Sequence, residues 1–495
     1  VAEVMSAPVV VATTDDTVAR VAARMQSHGI GSVVVVDGQR PVGILTERDV
    51  VRFGASGAAA EAAKVAEWMT PDPDVVGPDV SVQQAFADLA ERGYRHMPVV
   101  ERGPDGDALI GIVSARDLMA LASIQPVVHP GQIEAPPGLE GVVVAETQVG
   151  DVRGLEGFYH YRQYSAVELA EKRTLEDVWF LLFEGHLPSA DERRAFAEEV
   201  RSLRGVPEQV RRLLPDIAAT GGPIMDQLRT AVSLTGHALG FRPWLDVGHD
   251  ELKANARQVC AVVPTLIMSL YRLARGEEPV EPDPDLGYGE NYLWMLTGER
   301  PDPDKARAVE QYQMLTIDHG FNASTFTARV VTSTGADLAG AVAGAIAALS
   351  GPLHGGAPSR ALELLDAIGT PDNARPYLVE AVRRGDKIMG FGHRVYKTTD
   401  PRSEFLRGVA ERIGAEKVAF ASQVERTVVE VLNELKPGRN LYANVEFYAG
   451  VVMDHCGLPR ELFTPTFASS RIIGWCANLR EQAADNRISR PSAHY

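Results

Sequence analysis

The stretch Gly390-Phe-Gly-His-Arg-Val-Tyr-Lys-Thr-Thr-Asp-Pro-Arg402 decides how the chain is read. Two glycines flank Phe391 and lead into His393, and glycine lets a backbone approach a ligand closely because it carries no Cβ. Arg394, Lys397 and Arg402 place three cations within nine residues, and Pro401 stiffens the turn before the last of them. A histidine can exchange a proton near neutral pH, and guanidinium groups are shaped for carboxylates. The stretch therefore reads as a site for an anionic carbonyl compound. By itself, it reads at least as well as a solvated basic loop with one incidental histidine.

Three other stretches bear on that choice. Gly351-Pro-Leu-His354-Gly-Gly sets a second histidine among glycines, and Asp318-His319-Gly-Phe-Asn322-Ala-Ser-Thr-Phe lies further upstream. Asn444-Val-Glu446-Phe-Tyr-Ala-Gly450 puts a carboxylate inside an apolar run. In this order the four stretches resemble the citrate synthase family, which includes the 2-methylcitrate synthases. The resemblance covers roughly residues 138–495. It implies a mostly α-helical enzyme over residues 139–495, with a large domain (about 139–353 and 457–495) and a small one (about 354–456) around a cleft.

The resemblance also implies a reaction. The family joins the methyl carbon of acetyl-CoA to the ketone of oxaloacetate, then hydrolyses the thioester to citrate and CoA. Such chemistry needs a base for a weakly acidic α-proton and donors for the enolate and ketone oxygens. Carried over by motif, Glu446 is the base, His354 the donor to the enol, and His393 the group that polarises the ketone and protonates the alkoxide. His319, Arg402 and Arg471 (in Phe467-Ala-Ser-Ser-Arg471) hold carboxylates, which guanidinium groups grip in pairs of hydrogen bonds. Arg490, in Arg490-Pro-Ser-Ala-His-Tyr495, matches an arginine that reaches a neighbouring subunit's site, so a homodimer or higher homo-oligomer is implied. Lys387, Met389 and Gly390 fall where the family contacts CoA. The scheme requires no cofactor and no metal.

The sequence departs from the family at three places. The family's base is ordinarily aspartate; Glu446 adds a methylene, and misplacing a reacting group by ~1 Å can cost ~100-fold in rate. Gln163 stands where glycine is usual, and Asn478 where many relatives carry histidine. Two rival readings follow. Propionyl-CoA as donor would give 2-methylcitrate, and loss of turnover through Glu446 would leave a nucleotide-sensing binding protein.

The formal net charge of −17 over 495 residues argues against nucleic-acid or anionic-membrane binding, while a local basic pocket for small anions remains compatible with it. The length calls for two or three domains. Cys260, Cys456 and Cys476 are too few and scattered for a disulfide framework or zinc site, which fits a cytoplasmic location, and no signal peptide is visible. Apolar runs such as 259–273 and 339–349 are too short to span a membrane and read as buried helices. Helical periodicity is also read over 175–183, 190–203, 207–214, 225–239 and 251–274.

Residues 1–124 contain an internal repeat. Val1-Ala-Glu-Val-Met5 recurs as Val65-Ala-Glu-Trp-Met69, and Gly43-Ile-Leu-Thr-Glu-Arg-Asp49 as Gly111-Ile-Val-Ser-Ala-Arg-Asp117. Each copy carries a helix-period segment, a strand, a turn, a second strand and another helix. This is similar to a tandem pair of CBS domains, α/β modules that commonly bind adenosine-containing ligands, and the copies are placed at 1–56 and 57–124. In that family the Thr/Ser-x-x-Asp positions, here Thr46 with Asp49 and Ser114 with Asp117, hold ribose hydroxyls. The same pattern is also a helix capping box. ATP, ADP or AMP at the pair, acting as an adenine nucleotide effector, is the expectation that follows. Residues 125–138 form a proline-rich, semi-rigid connector.

Overall fold

The computed structural model describes the chain apart from residues 3, 104–105, 116–133, 356, 394, 397, 438–440 and 493–495. Asp117, Arg394, Lys397 and residues 125–133 of the connector therefore lie outside the described residues. By its contacts the chain forms two units, built on Val1–Glu140 and on Gly141–Arg490.

In the first unit, helix α1 (Val18–His28) starts at Thr17, whose side chain accepts from the Arg20 amide, and stops at Gly29 in the left-handed region (φ 64°). Strand β1 (Val11–Ala12) pairs with β2 (Ser32–Asp37), whose valines are buried, and β2 turns back into β3 (Arg40–Thr46) ahead of helix α2 (Glu47–Ser56). The second copy repeats the plan with α3 (Val82–Arg92), β5 (His96–Gly103) and β6 (Gly106–Ser114), and its register matches the first. Ser32 stands opposite Thr46 in one hairpin and His96 opposite Ser114 in the other.

The copies exchange their first turns. Strand β4 (Thr70–Pro71), from the start of the second copy, pairs with β3, and Met69 fills the space that a Cβ on Gly43 would need. Conversely, Ser6 bridges to Ile112 on β6 while Met5 fills the space above Gly111. Val1 accordingly packs in the core of Leu89, Met97 and Val113, and Val65 in the core of Val21, Val33 and Leu45.

The second unit opens with a three-stranded antiparallel sheet of β7 (Gly150–Arg153), β8 (Phe158–Tyr161) and β9 (Tyr164–Ser165), after which the elements are helical. Helices occupy Leu175–Glu184, Ala190–Ser202, Ile224–Ala238, His249–Leu273 and Leu338–Ser350, close to the periodic segments read above. The segment 207–214 differs: it splits into Glu208–Arg211 and Leu214–Ala219, because Pro215 suits the first turn of a new helix better than the interior of an old one. The helices His249–Leu273 and Phe463–Ala484 are buried over much of their length, as expected of helices apolar on nearly every side. Among the described residues no helix is long and apolar enough to cross a membrane.

Candidate active site

The His393 loop and the Glu446 helix are fastened to each other by backbone. Phe391 bridges antiparallel to Ala443, the Gly392 amide donates to the Tyr442 carbonyl (2.8 Å), and the Asn444 amide donates to the Gly390 carbonyl (2.9 Å). Gly390 and Gly392 adopt φ of 83° and 85°, which L side chains rarely adopt. The room a Cβ would take at Gly390 is occupied by Phe447 and Ala361. Asn444 then caps the helix Val445–His455 by accepting from the Glu446 amide at 3.2 Å, and its Nδ2 donates to the Gly392 carbonyl at 3.1 Å.

Asp400 joins the same parts a second time. Its carboxylate accepts from Arg402 Nε (2.9 Å), Nη2 (2.7 Å) and amide (3.0 Å), and from the Val445 amide (3.1 Å). It thus caps the helix Pro401–Arg412, holds Arg402 bidentately and grips the start of the Glu446 helix, all while almost fully buried. Sequence reading passed over Asp400, although an Asp-Pro pair is a recognisable helix start.

His393 Nδ1 accepts from the Val395 and Tyr396 amides (3.0 and 3.1 Å), which puts the proton of a neutral ring on Nε2. Nε2 lies 3.3 Å from Arg402 Nη2, so two nitrogen donors stand side by side, an arrangement suited to one anionic oxygen. His319 packs edge-on to His393 with ring centres 5.4 Å apart, and its Nε2 meets the Tyr396 hydroxyl at 3.1 Å. Burial, then the charge of Arg402, holds the pKa of His319 well below the ordinary histidine value, so its ring is neutral. Tyr159 on β8 stacks beside His319 and lies under the Arg402 guanidinium. The β7–β8 turn presses on this loop as well: a Cβ on Gly154 would collide with the Val395 carbonyl, and one on Gly157 would lie 2.9 Å from the Thr398 hydroxyl.

His354 is set against the start of the helix Ala323–Ser333. Its Nε2 accepts from the Ser324 amide (3.3 Å) beside the Ser324 hydroxyl (2.8 Å), which leaves the ring proton on Nδ1. Burial, followed by the charge of Arg471, lowers its pKa to about 4, so at neutral pH it is an uncharged donor. Arg471 is 2% exposed, donates from Nε to the Thr316 carbonyl (2.6 Å) and forms no ion pair among the described residues. A buried guanidinium without a carboxylate is a standing demand for an anion. Glu446 likewise forms no ion pair among the described residues; burial raises its pKa, with Arg402 opposing. The charge of Arg471 acts on His319, His354 and Glu446 alike, and that of Arg402 on His319 and Glu446, so these groups lie within the field of the same two cations.

The other expected residues lie apart from this cluster. Lys387 is exposed and Met389 half-buried, on the approach to Gly390, and Arg490 is exposed near the end of the chain. In the first unit Asp49 is occupied locally: its Oδ2 accepts from the Thr46 hydroxyl (2.7 Å) and amide (3.0 Å), while Arg52 lies 3.3 Å from Oδ1. Ser114 ends β6, and its partner Asp117 is outside the described residues.

The family profile described as "Citrate synthase, C-terminal domain" matches residues 138–492, which takes in the whole stretch Gly141–Arg490. The chain belongs to the citrate synthase family. Its N-terminal unit matches the "CBS domain" profile twice, over residues 1–56 and 65–123. The citrate synthase of Deinococcus radiodurans is 38% identical over 359 residues, covering 72% of this chain and 94% of that protein. "Citrate synthase 2" of Bacillus subtilis is 36% identical over 363 residues, covering 72% and 95%. Among solved structures, citrate synthase from Pyrobaculum aerophilum superposes with a TM-score of 0.67 at 35% identity, over 80% of this chain and 94% of that one. A ternary complex of carboxymethyl coenzyme A and oxaloacetate with the Thermoplasma acidophilum citrate synthase gives 0.67 at 27% identity, over 73% and 96%. The protein is thus an acyl-transferring enzyme of the citrate synthase type, fused to a CBS pair.

Proposed function

We propose that the protein condenses acetyl-CoA with oxaloacetate and hydrolyses the resulting thioester to citrate and CoA. Arg402, Arg471 and His319 bind the oxaloacetate carboxylates, and the Nε2–H of His393 points at the ketone oxygen. Glu446 removes a proton from the acyl methyl while the Nδ1–H of His354 donates to the thioester oxygen as it gains charge. The enol carbon attacks the ketone, a carbon–carbon bond forms, and His393 passes its proton to the new alkoxide. Water then cleaves the citryl thioester and releases CoA.

One observation carries this reading. Glu446, a carboxylate with a raised pKa and no ion-pair partner among the described residues, lies within the field of Arg471, as does His354, which is neutral and has one ring nitrogen already occupied by Ser324. That is the base-and-donor pair that enolising a thioester requires. Closure of the segment 354–456 over the remainder would exclude water until condensation is complete. Lys387 and Met389 approach the CoA phosphates, and Arg490 serves the site of a second subunit in a homodimer. The CBS pair takes an adenine nucleotide that changes the rate of the synthase. For that, Asp49 must exchange its bonds to Thr46 for the ribose.

The test is oxaloacetate-dependent thiol release from acetyl-CoA, with propionyl-CoA alongside and with ATP, ADP and AMP added in turn. Faster release with acetyl-CoA supports the reading, and faster release with propionyl-CoA makes the product 2-methylcitrate. No release with either donor, restored by Glu446→Asp, would leave the native chain a nucleotide-sensing protein with a misplaced base. Equal rates with and without saturating nucleotide would remove the effector.

A further inference from the structure

A polar chain, exposed at Gln148 and buried at Arg329, Asn478 and Asp318, starts where the polypeptide enters the second unit. Residues 141–146 are exposed and without regular structure, and Gln148 is the first described residue of this unit to bond with a distant helix. Its amide donates to Glu481 Oε1 at 2.6 Å, while its carbonyl accepts from Arg162 Nη1 at 3.1 Å. The other Glu481 oxygen accepts from Arg329 Nη2. Arg329 Nη1 donates to Gln482 at 3.2 Å, and its Nε donates to Asn478 Oδ1 at 3.0 Å. Asn478 Nδ2 donates to Asp318 Oδ1 at 2.9 Å and to the Gly474 carbonyl at 2.9 Å. Asp318 Oδ2 accepts from the Gly320 amide at 3.1 Å, closing the turn that carries His319.

Every donor and acceptor of the Asn478 amide is used, and Asn478, Arg329 and Asp318 are each 2–3% exposed. The turn has no slack on its other side: a Cβ on Gly474 would collide with the Ile317 carbonyl, so helix and turn meet backbone to backbone. A buried network with every member satisfied has one favoured arrangement, because any displacement strands a polar group. The asparagine that departs from the family at this position is therefore a link in the chain.

We infer that Glu481, Arg329 and Asn478 are positioning residues that set His319 for the oxaloacetate carboxylate, and that Gln148, at the head of the chain, is the point through which the preceding segment can alter that setting. This rests on the reading of the site as an oxaloacetate site. It makes the segment after residue 140 a route by which events upstream change affinity for one substrate and leave the acyl donor unaffected.

The experiment compares Glu481→Leu, Glu481→Gln and Gln148→Pro in the full chain. Gln148 is exposed, and proline there deletes the amide that Glu481 accepts and fixes the local φ. Oxaloacetate and acetyl-CoA KM, kcat, and oxaloacetate binding by calorimetry are read together. The expected result is a rise of about tenfold in oxaloacetate KM and Kd for Glu481→Leu and Gln148→Pro, acetyl-CoA KM within twofold, and a smaller rise in Glu481→Gln, whose one oxygen keeps one of the two donors while its NH2 faces the other, since displacements well under 1 Å at a substrate-holding group carry such factors. A merely structural role would lower the active fraction, and hence kcat, with KM unchanged. Unchanged oxaloacetate KM in Gln148→Pro, or equal rises in both KM values, overturns the inference. Should Glu481→Leu fail to fold, Gln148→Pro decides. If the native chain binds oxaloacetate without turnover, the Kd values decide; if it binds none, the site reading fails first and this inference with it.

Discussion

Replacing Asp400 by asparagine isolates one charge at the junction of the site. Asparagine caps helices as well as aspartate does, so the start of the helix Pro401–Arg412 should survive. The carboxylate, however, receives four donors, two from the Arg402 guanidinium, one from the Arg402 amide and one from the Val445 amide. In the variant the oxygen can serve Arg402 Nε and amide, and the NH2 then faces Arg402 Nη2 and the Val445 amide, donor against donor. Removing one partner of a buried ion pair costs about 3–5 kcal/mol. At the usual unfolding entropy per residue, about 1.4 °C of melting temperature goes with each kcal/mol in a unit spanning Gly141–Arg490, so a fall of about 4–7 °C is expected. Arg402, no longer oriented, should also hold substrate poorly, and the start of the Glu446 helix should loosen. We expect kcat/KM for oxaloacetate to drop by at least about 100-fold, which a 1 Å displacement of these groups would produce. Differential scanning calorimetry and initial-rate kinetics measure the two effects. A melting temperature within 2 °C of the native value, with oxaloacetate KM unchanged, would refute the argument that Asp400 ties clamp to base.

Glu446→Gln should abolish turnover by about 10²–10⁴-fold, the usual worth of a general base, and yet stabilise the fold at neutral pH. The Glu446 pKa is raised in the folded chain by burial, so its ionised form costs stability that is absent below the ordinary carboxylate range and complete above the folded value. The gain in melting temperature at pH 7 should therefore vanish near pH 4, and a constant gain would contradict it. On the acid side kcat should fall with a midpoint above the ordinary carboxylate range, reporting Glu446, because His354 stays neutral down to about pH 4. Gly154→Ala drives a Cβ into the Val395 carbonyl and should lower kcat with little loss of expression; native kinetics would show that the β7–β8 turn does not brace the His393 loop. Asp49→Ala removes the capping box of α2 and should cost the N-terminal unit about 1 kcal/mol, measured by denaturant titration.

The elements readable in the sequence were those whose signal is local. The motifs around His319, His354, His393 and Glu446 can each be seen within a dozen residues, and the repeat and the apolar helices show in the order of residue types alone. What escaped depends on partners far apart in the chain. Asp400 can be read as the start of a helix, but its grip on the Val445 amide, 45 positions on, cannot. Nothing near Gln148 announces Glu481, 333 positions away. The glycines at 390 and 392 were read as room for a ligand; their positive φ and the packing of Phe447 against Gly390 give them a second, conformational reason that no sequence pattern shows. Thr46 and Asp49 are ambiguous for a different reason: capping a helix and holding a ribose call on the same atoms, so the pattern is the same for either.

The exchange of first turns in the N-terminal unit has a consequence for how the chain is made. While the polypeptide is being synthesised, the first copy lacks Met69 and strand β4 until residues 65–71 have emerged, and Met5 has no seat until Gly111 arrives. Residues 1–56 are therefore not a folding unit, although they are a unit of sequence. A fragment ending there should stay open and prone to associate. Release of the whole unit to its folded state is then a single event that waits for about residue 113, where Val1 finds the core of the second copy. Carrying both copies in one chain makes the exchange an encounter along a single molecule, independent of protein concentration.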